Sequence, residues 1–246
     1  MAAFLLVHGA WHGGWCWKKV VPLLRRSGAE VFAPTLSGMG ERSHLTERLD
    51  PATIDLDLHI RDIVQVIEYE DLGQVILVGH AYAGMVITGV AEVCPERLAH
   101  LVYLNGVVPA NGESMVDQLV AVRGAEFAAW VRGEIDRGEG FLPPPATKSD
   151  LGHRWGITDP ADLEWMSAHV TPQPVAAMAG PVRTGNPEAA SIPRSFVCGE
   201  EAGFQPVADR AQDAGWVVYH VNSGHDTMVT HPRELAEILL GIGSAF

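Results

Sequence analysis

The hydrophobic pattern of the chain consists of short apolar segments separated by longer segments with helical spacing. The apolar segments do not alternate strictly with polar residues, so we expect strands that are buried on both faces of a parallel sheet. Six such strands are predicted, at residues 3–7, 30–34, 74–78, 101–104, 195–197 and 216–221.

The segments between these strands predict helices. Residues 54–70 place four aliphatic side chains on one face at helical spacing, and residues 17–26 end at a Ser-Gly stop signal. Residues 231–240 carry Pro232 in their first turn, where proline favours a helix start. The alternation predicts an α/β fold with a doubly wound, mostly parallel sheet of about six strands and right-handed crossovers.

The alternation breaks once, between residues 111 and 193. This stretch has no strong strand signal, and it contains three consecutive prolines and scattered tryptophans. A structureless loop of that length is improbable in a compact domain. We therefore predict a helical cap at 111–193, inserted into a core formed by residues 1–110 and 194–246.

Composition narrows the function classes. The 246 residues are 47% hydrophobic and carry a formal net charge of −13, with no Lys/Arg run longer than two. Nucleic acid is therefore not expected as a partner. Three isolated cysteines favour a reducing compartment such as the cytoplasm, and the short apolar N-terminal segment suits a buried strand better than a signal peptide or membrane span.

The segment Gly79–His80–Ala81–Tyr82–Ala83 follows a buried strand and opens a predicted helix. It has the shape of a nucleophile elbow, G-x-S-x-G, in which small neighbours let strand and helix approach closely. Ala81 stands at the serine position. Alanine cannot attack a carbonyl, so no acyl-enzyme is expected from this chain.

A glycine-rich loop, HGAWHGGW at residues 8–15, follows the first strand. An acyl-transfer site needs two N–H groups for the oxyanion, one from such a loop and one from the residue after the nucleophile. Ala10 and Tyr82 are the candidates. A phosphate-binding loop is less suitable, because neither G-x-G-x-x-G nor a Walker lysine is present.

The general base and its acid are expected near the C-terminus. His225 follows the last strand and precedes a helix, which is the place of a triad histidine in the order nucleophile, acid, histidine. Glu201, after the strand at 195–197, is preferred as the acid that orients it. Glu200 and Asn105 remain alternatives.

Several large side chains could line an apolar pocket under the cap. Ordinary packing is the preferred explanation for each of them, since large apolar side chains are mostly buried. The predicted substrate-binding residues are Trp11, His12, Trp155 and Met228, with Trp130 and Trp165 as further candidates.

The motifs HGAWHGGWCW, the loop at 34–42, VGHxYxGM and GHDTM together resemble the methylesterase and hydroxynitrile lyase family of α/β-hydrolases. They are also similar to those of bacterial esterases that cleave small esters and carbamates of the carbendazim type. The resemblance implies an α/β-hydrolase fold, position 81 as nucleophile, His225 as base, and no metal or organic cofactor. Hydroxynitrile lyases of the family have other residues at two positions, directly after the histidine of the first loop and directly after the catalytic histidine. This chain has Gly9 after His8 and Asp226 after His225.

Ala81 leaves two explanations open. Either alanine replaces serine in an otherwise assembled esterase site that still binds its substrate, or the chain is a natural ligand-binding protein without catalysis. We favour the first, because a binding protein would not need the oxyanion loop and His225 together. The expected partner is a small hydrophobic or aromatic carboxylic ester, with a carbamate or amide as variants and a hydroxynitrile-lyase-like reaction as a further alternative.

Overall fold

The computed structural model describes residues 3–138 and 140–246, so the first two residues of the predicted core and residue 139 of the predicted cap lie outside it. Six parallel strands form the main sheet in the order β2-β1-β3-β4-β7-β8, and β5 and β6 form a small antiparallel pair. The strands are β1 Ala3–Val7, β2 Glu30–Phe32, β3 Val75–His80, β4 Leu98–Leu104, β5 Phe141–Leu142, β6 Gln173–Pro174, β7 Arg194–Gly199 and β8 Val217–Val221.

Helices connect the strands and cover the sheet. The α-helices are α1 Val21–Arg26, α2 Leu56–Tyr69, α3 Ala83–Val93, α4 Met115–Arg123, α5 Ala125–Asp136, α6 Lys148–Trp155, α7 Pro160–Ser167, α8 Val175–Ala179, α9 Pro187–Ser191, α10 Gln205–Asp213, α11 Thr227–Thr230 and α12 Pro232–Gly243. Single 3₁₀ segments lie at Gly14–Trp17, Gly40–Glu47, Pro51–Thr53 and Pro95–Arg97.

The predicted sheet of about six parallel strands is confirmed. Its central strands β1, β3 and β4 are buried along their whole length, which explains why they read as apolar runs without alternation. The predicted helix at 17–26 is wrong in its first half, because a 3₁₀ turn ends at Trp17 and α1 begins only at Val21. Pro22 lies in the first turn of α1, where a proline is tolerated.

Residues 111–193 contain α4 to α9 and the β5–β6 pair, and they contribute no strand to the main sheet. Their assignment as a separate cap stays a prediction. One close contact ties this region to the core: a Cβ on Gly156, after α6, would lie 2.6 Å from Cα of Gly224 in the loop that precedes α11. The Asp226 N–H also donates to the Trp155 carbonyl at 3.1 Å.

Gly84, in the first turn of α3, is the tightest backbone contact near the carboxyl end of β3. A Cβ added there would lie 2.0 Å from the Val107 carbonyl oxygen, which is backbone and cannot rotate away. We expect Gly84→Ala to lower the free energy of unfolding by about 3 kcal/mol or more. Gly73→Ala, where a Cβ meets nothing within 4 Å, is the matched control and should change it by less than about 0.5 kcal/mol in urea unfolding. Equal effects of the two substitutions would contradict this account.

Candidate active site

Ala81 lies at the sharp turn between β3 and α3. Its φ is +53°, a left-handed conformation that costs energy in a residue with a Cβ and persists only where neighbours hold it. The neighbours are the last residue of β4 and a residue shortly after it: Ala81 N–H donates to Leu104 O at 3.1 Å, and Val107 N–H donates to Ala81 O at 3.2 Å. The turn therefore has the strained geometry predicted for a nucleophile elbow.

The two predicted oxyanion residues lie together at this turn. Ala10 and Tyr82 both line the same cavity as Ala81. Within the described ranges, neither of their backbone N–H groups donates to a backbone or side-chain acceptor of the protein. The arrangement leaves two donors that could hold a negatively charged oxygen.

His8 fixes the loop that carries Ala10. Leu36 N–H donates to His8 Nε2 at 3.0 Å, and His8 Nδ1 donates to the Gly9 carbonyl at 2.9 Å. Burial lowers the pKa of His8 to about 3, which keeps the ring neutral in this tautomer. His8 therefore anchors the glycine-rich loop to the segment after β2.

The Tyr82 hydroxyl is bound to α2 and not to the groups around Ala81. Its hydroxyl donates to His59 Nδ1 at 2.9 Å, and His59 Nε2 donates to the Ser37 carbonyl at 3.0 Å. Both rings are buried. The Tyr82 phenol therefore anchors the start of α3 to α2, and the Tyr82 backbone N–H stays a candidate oxyanion donor.

His225 is only 5% exposed and lines the cavity. Its ring stacks on Phe204 with centroids 5.2 Å apart and planes 10° apart. Its carbonyl accepts hydrogen bonds from Asn105 Nδ2 at 2.9 Å and His80 Nε2 at 3.1 Å. Burial, and then the positive charge of Arg123, place the pKa of His225 well below its ordinary value, so the ring is a neutral base.

The structure does not bring Glu201 to His225. Glu201 and Glu200 are exposed, and His225 Nδ1 is buried with no hydrogen-bond partner in the described part of the chain. The segment after β7 instead places the Phe204 ring against the imidazole. The predicted orienting hydrogen bond from the His225 imidazole to a glutamate is therefore not present in this conformation.

Asn105, the other alternative, acts on the backbone around His225. Its Nδ2 donates to the His225 carbonyl, and its Oδ1 accepts from Gly199 N–H at 2.6 Å. It also has a left-handed φ of +42°. Asn105 therefore positions the histidine loop against β7 but does not contact the imidazole.

A buried charge network beside the cavity was not predicted from the sequence. His12 Nε2 donates to Asp226 Oδ2 at 3.0 Å, and His12 Nδ1 donates to the Ala10 carbonyl at 2.6 Å. Burial opposes charge on His12, but the Asp226 carboxylate outweighs it and raises the pKa of the ring above its ordinary value. His80 Nε2 lies 3.5 Å from Asp226 Oδ1 and has its own pKa lowered to about 4, mainly by burial.

A cluster that overlaps this network is the only one with metal-ligand spacing found among residues 3–138 and 140–246. Ligand atoms of His80, His225 and Asp226 lie within 4.8 Å of one another. However, His80 Nε2 already donates to a carbonyl and Asp226 already binds His12. His80 and Asp226, two of the three candidate ligands, therefore already have hydrogen-bond partners within the protein.

The cavity beside Ala81 is small and mostly apolar. Its volume of about 30 Å³ holds little more than one water, so a ligand requires side chains above it to move. The lining residues are Ala10, Trp11, His12, His80, Ala81, Tyr82, Met115, Leu119, Val122, Arg123, Phe127, Arg154, Trp155, Met178, Phe204 and His225.

Three of the predicted substrate-binding residues, Trp11, His12 and Trp155, are in this lining. Met228 is fully buried but does not line the cavity, so its predicted contact is not present. Trp130 is 38% exposed and Trp165 packs edge-on against Trp15, both outside the lining. Residues from α4 and α5 line the cavity instead, and sequence spacing carried no signal for them.

Comparison with known proteins agrees with this architecture. The model of the alpha/beta hydrolase family matches residues 4–238. A carbendazim hydrolyzing esterase of Nocardioides sp. (strain SG-4G) is 36% identical over 253 residues, covering 99% of this chain and 100% of the relative. The putative chloroplastic methylesterase 13 of Arabidopsis thaliana is 26% identical, covering 97% of this chain and 55% of that protein.

Solved structures show the same fold. An extracellular alpha/beta-hydrolase from a Paenibacillus species superposes with a TM-score of 0.82 at 20% identity, covering 98% of each chain. Within the described residues, no helix combines the length and the apolar character needed to cross a membrane.

Proposed function

This chain belongs to the alpha/beta hydrolase family, and on that premise we propose that its site is built for the hydrolysis of a small hydrophobic or aromatic carboxylic ester. Carbamates and amides share the acyl carbon that such a site would hold. With alanine at position 81, the chain binds its substrate without forming an acyl-enzyme. The relative named for carbendazim hydrolysis supports this class of substrate.

One observation carries the proposal. Ala81 keeps the strained φ of +53° at the carboxyl end of β3, in a cavity that also presents two unpaired N–H groups and His225. Strain of this kind, held by two backbone hydrogen bonds, has no use in a simple strand-to-helix turn. It does have a use where a side chain must point from the turn toward a bound carbonyl.

The reaction follows from the placement of these groups once a hydroxyl is present at position 81. The hydroxyl oxygen attacks the ester carbonyl while the neutral His225 takes its proton. The Ala10 and Tyr82 amides hold the oxyanion of the tetrahedral intermediate. His225 then protonates the departing alcohol, and water hydrolyses the acyl-enzyme by the same sequence.

A second candidate is ligand binding without turnover. It is favoured by the unpartnered Nδ1 of His225, because a triad histidine normally donates that proton to a carboxylate. In that case the same cavity would bind an ester or a related compound, and an introduced hydroxyl would stay unreactive.

Covalent labelling separates the two candidates. We expect Ala81→Ser to form a stoichiometric adduct with diisopropyl fluorophosphate, found at position 81 by intact-mass and peptide mass spectrometry. The parent chain should stay unlabelled, and Ala81→Ser combined with His225→Gln should lose the labelling because the base is gone. Absence of an adduct in the single variant, with an unchanged melting temperature, would favour the ligand-binding candidate.

A further inference from the structure

Two arginines line the cavity beside Ala81. Arg123 is the last residue of α4, and Arg154 lies in the last turn of α6. Both side chains are partly buried. Among residues 3–138 and 140–246, neither guanidinium forms an ion pair with an acidic side chain or a hydrogen bond to any group.

Aromatic rings support both guanidinium groups. The Arg123 guanidinium carbon lies 5.8 Å from the centroid of Phe204, and that of Arg154 lies 5.1 Å from the centroid of Phe127. Stacking on an aromatic face orients a guanidinium and leaves its in-plane N–H groups able to bind an anion. Both rings also line the cavity, so the two cations are held at its wall.

The electrostatics of the pair are unfavourable without a ligand. Burial, and then the positive charge of Arg154, lower the pKa of Arg123. The one buried carboxylate nearby, Asp226, is already bound to His12. The chain has 30 acidic residues and 17 basic ones, so unpaired arginines in a cavity are not explained by a shortage of carboxylates.

We propose that this cavity binds a ligand that carries a carboxylate, held by Arg123 and Arg154, on an apolar body that reaches Ala81. Arginine recognises carboxylates in a planar, often bidentate geometry. The remaining lining suits the apolar body, and Met115 and Met178 are flexible enough to make room for it. The proposal rests on the proposed function, whose substrate then becomes a half-ester, with one free acid and one ester group.

The lining explains why two cations are needed here. A carboxylate entering this apolar cavity loses its hydration and requires replacement hydrogen bonds. Two unpaired guanidinium groups supply them, and the anion at the same time removes the repulsion between the arginines. A neutral ester would leave that repulsion in place.

Binding to the parent chain tests the carboxylate directly, with no turnover required. The probes are butyrate, hexanoate, octanoate, benzoate and 4-phenylbutyrate, each compared with its primary amide by isothermal titration calorimetry at pH 7. We expect at least one acid to bind tenfold to a hundredfold more tightly than its amide, as for hydrogen bonds to a charged group. Arg123→Gln and Arg154→Gln should each reduce that preference, and Arg233→Gln, an exposed arginine of α12, should leave it unchanged.

The outcomes are distinct. No acid binding more tightly than its amide, or a preference that survives Arg123→Gln combined with Arg154→Gln, would overturn the proposal. Octyl phosphate binding more tightly than octanoate would overturn the assignment to a carboxylate.

A second measurement separates this proposal from the hydrolase proposal. In Ala81→Ser, kcat/KM for monomethyl adipate should exceed that for dimethyl adipate by about tenfold, and the excess should vanish in Arg123→Gln. Turnover of dimethyl adipate without preference for the half-ester would refute the carboxylate-binding proposal and leave the hydrolase proposal intact. Binding of an acid by the parent chain, without any turnover in the serine variant, would refute the hydrolase proposal and leave the carboxylate-binding proposal intact.

Discussion

Ala81→Ser should raise the rate of hydrolysis of p-nitrophenyl esters about 100-fold above that of the parent chain. In a complete serine hydrolase triad, nucleophile and base are together worth about 10⁶ in kcat, and the orienting acid accounts for about 10⁴ of this. The cavity beside position 81 is lined by His225 and by the proposed oxyanion residues Ala10 and Tyr82, but in the described part of the chain no carboxylate accepts a hydrogen bond from His225 Nδ1. The gain should therefore be that of a dyad, measured as initial rates with p-nitrophenyl butyrate.

The pH profile of that variant is a further consequence of the same geometry. His225 must be neutral to accept a proton, and its pKa lies well below the ordinary histidine value because of burial and Arg123. The rate should therefore stay level from pH 8 to below pH 6, without the usual fall near pH 6.5. Adding His225→Gln to the serine variant is the control and should return the rate to that of the parent. A rate equal to the parent's in the serine variant would refute the hydrolase proposal.

The centre of the sheet could be predicted because strands β1, β3 and β4 are buried along their whole length. The continuous apolar runs at 3–7 and 74–78 indicate strands in the middle of a sheet, because such strands are covered by helices on both faces. The edge strand β2 is shorter than its predicted 30–34, ending at Phe32. It pairs with β1 only as far as Phe32, which lies opposite Leu5.

The site was predictable where its parts are local in sequence. Each of these parts lies within a few residues of the end of a strand, so the parallel topology brings them to one edge of the sheet: Ala10, Ala81, Tyr82 and His225. The acid was not predictable in this way. Whether a glutamate or Phe204 faces His225 depends on the conformation of the few residues after β7. The sequence of that loop is compatible with either conformation.

The cavity wall could be predicted least. Arg123 and Phe127 lie on α4 and α5, whose positions over Ala81 depend on tertiary packing of residues 111–193. Sequence periodicity indicates which face of such a helix is apolar, but not which partner it covers.

Asp226→Asn should lower the free energy of unfolding by about 3–5 kcal/mol at pH 6, measured by urea unfolding. Asp226 is fully buried, and His12 beside it is 1% exposed with both ring nitrogens donating to oxygen acceptors. Removing the carboxylate leaves a buried imidazolium without its counter-charge, which is the costly way to break a buried pair. Asp162→Asn, which breaks the half-exposed pair with Lys19, is the matched control and should cost at most about 1 kcal/mol.

The pH dependence of this difference identifies its cause. The pKa of His12 is raised in the folded chain, so its contribution to stability is complete below the ordinary histidine pKa of about 6.5 and is lost as pH rises through the raised value. The gap between the parent and Asp226→Asn should therefore be largest at pH 6 and shrink toward alkaline pH. A gap that stays constant with pH would mean that Asp226 stabilises the fold by packing and hydrogen bonding alone. In that case His12 would be neutral, and the negative charge of Asp226 would not be balanced by the imidazole.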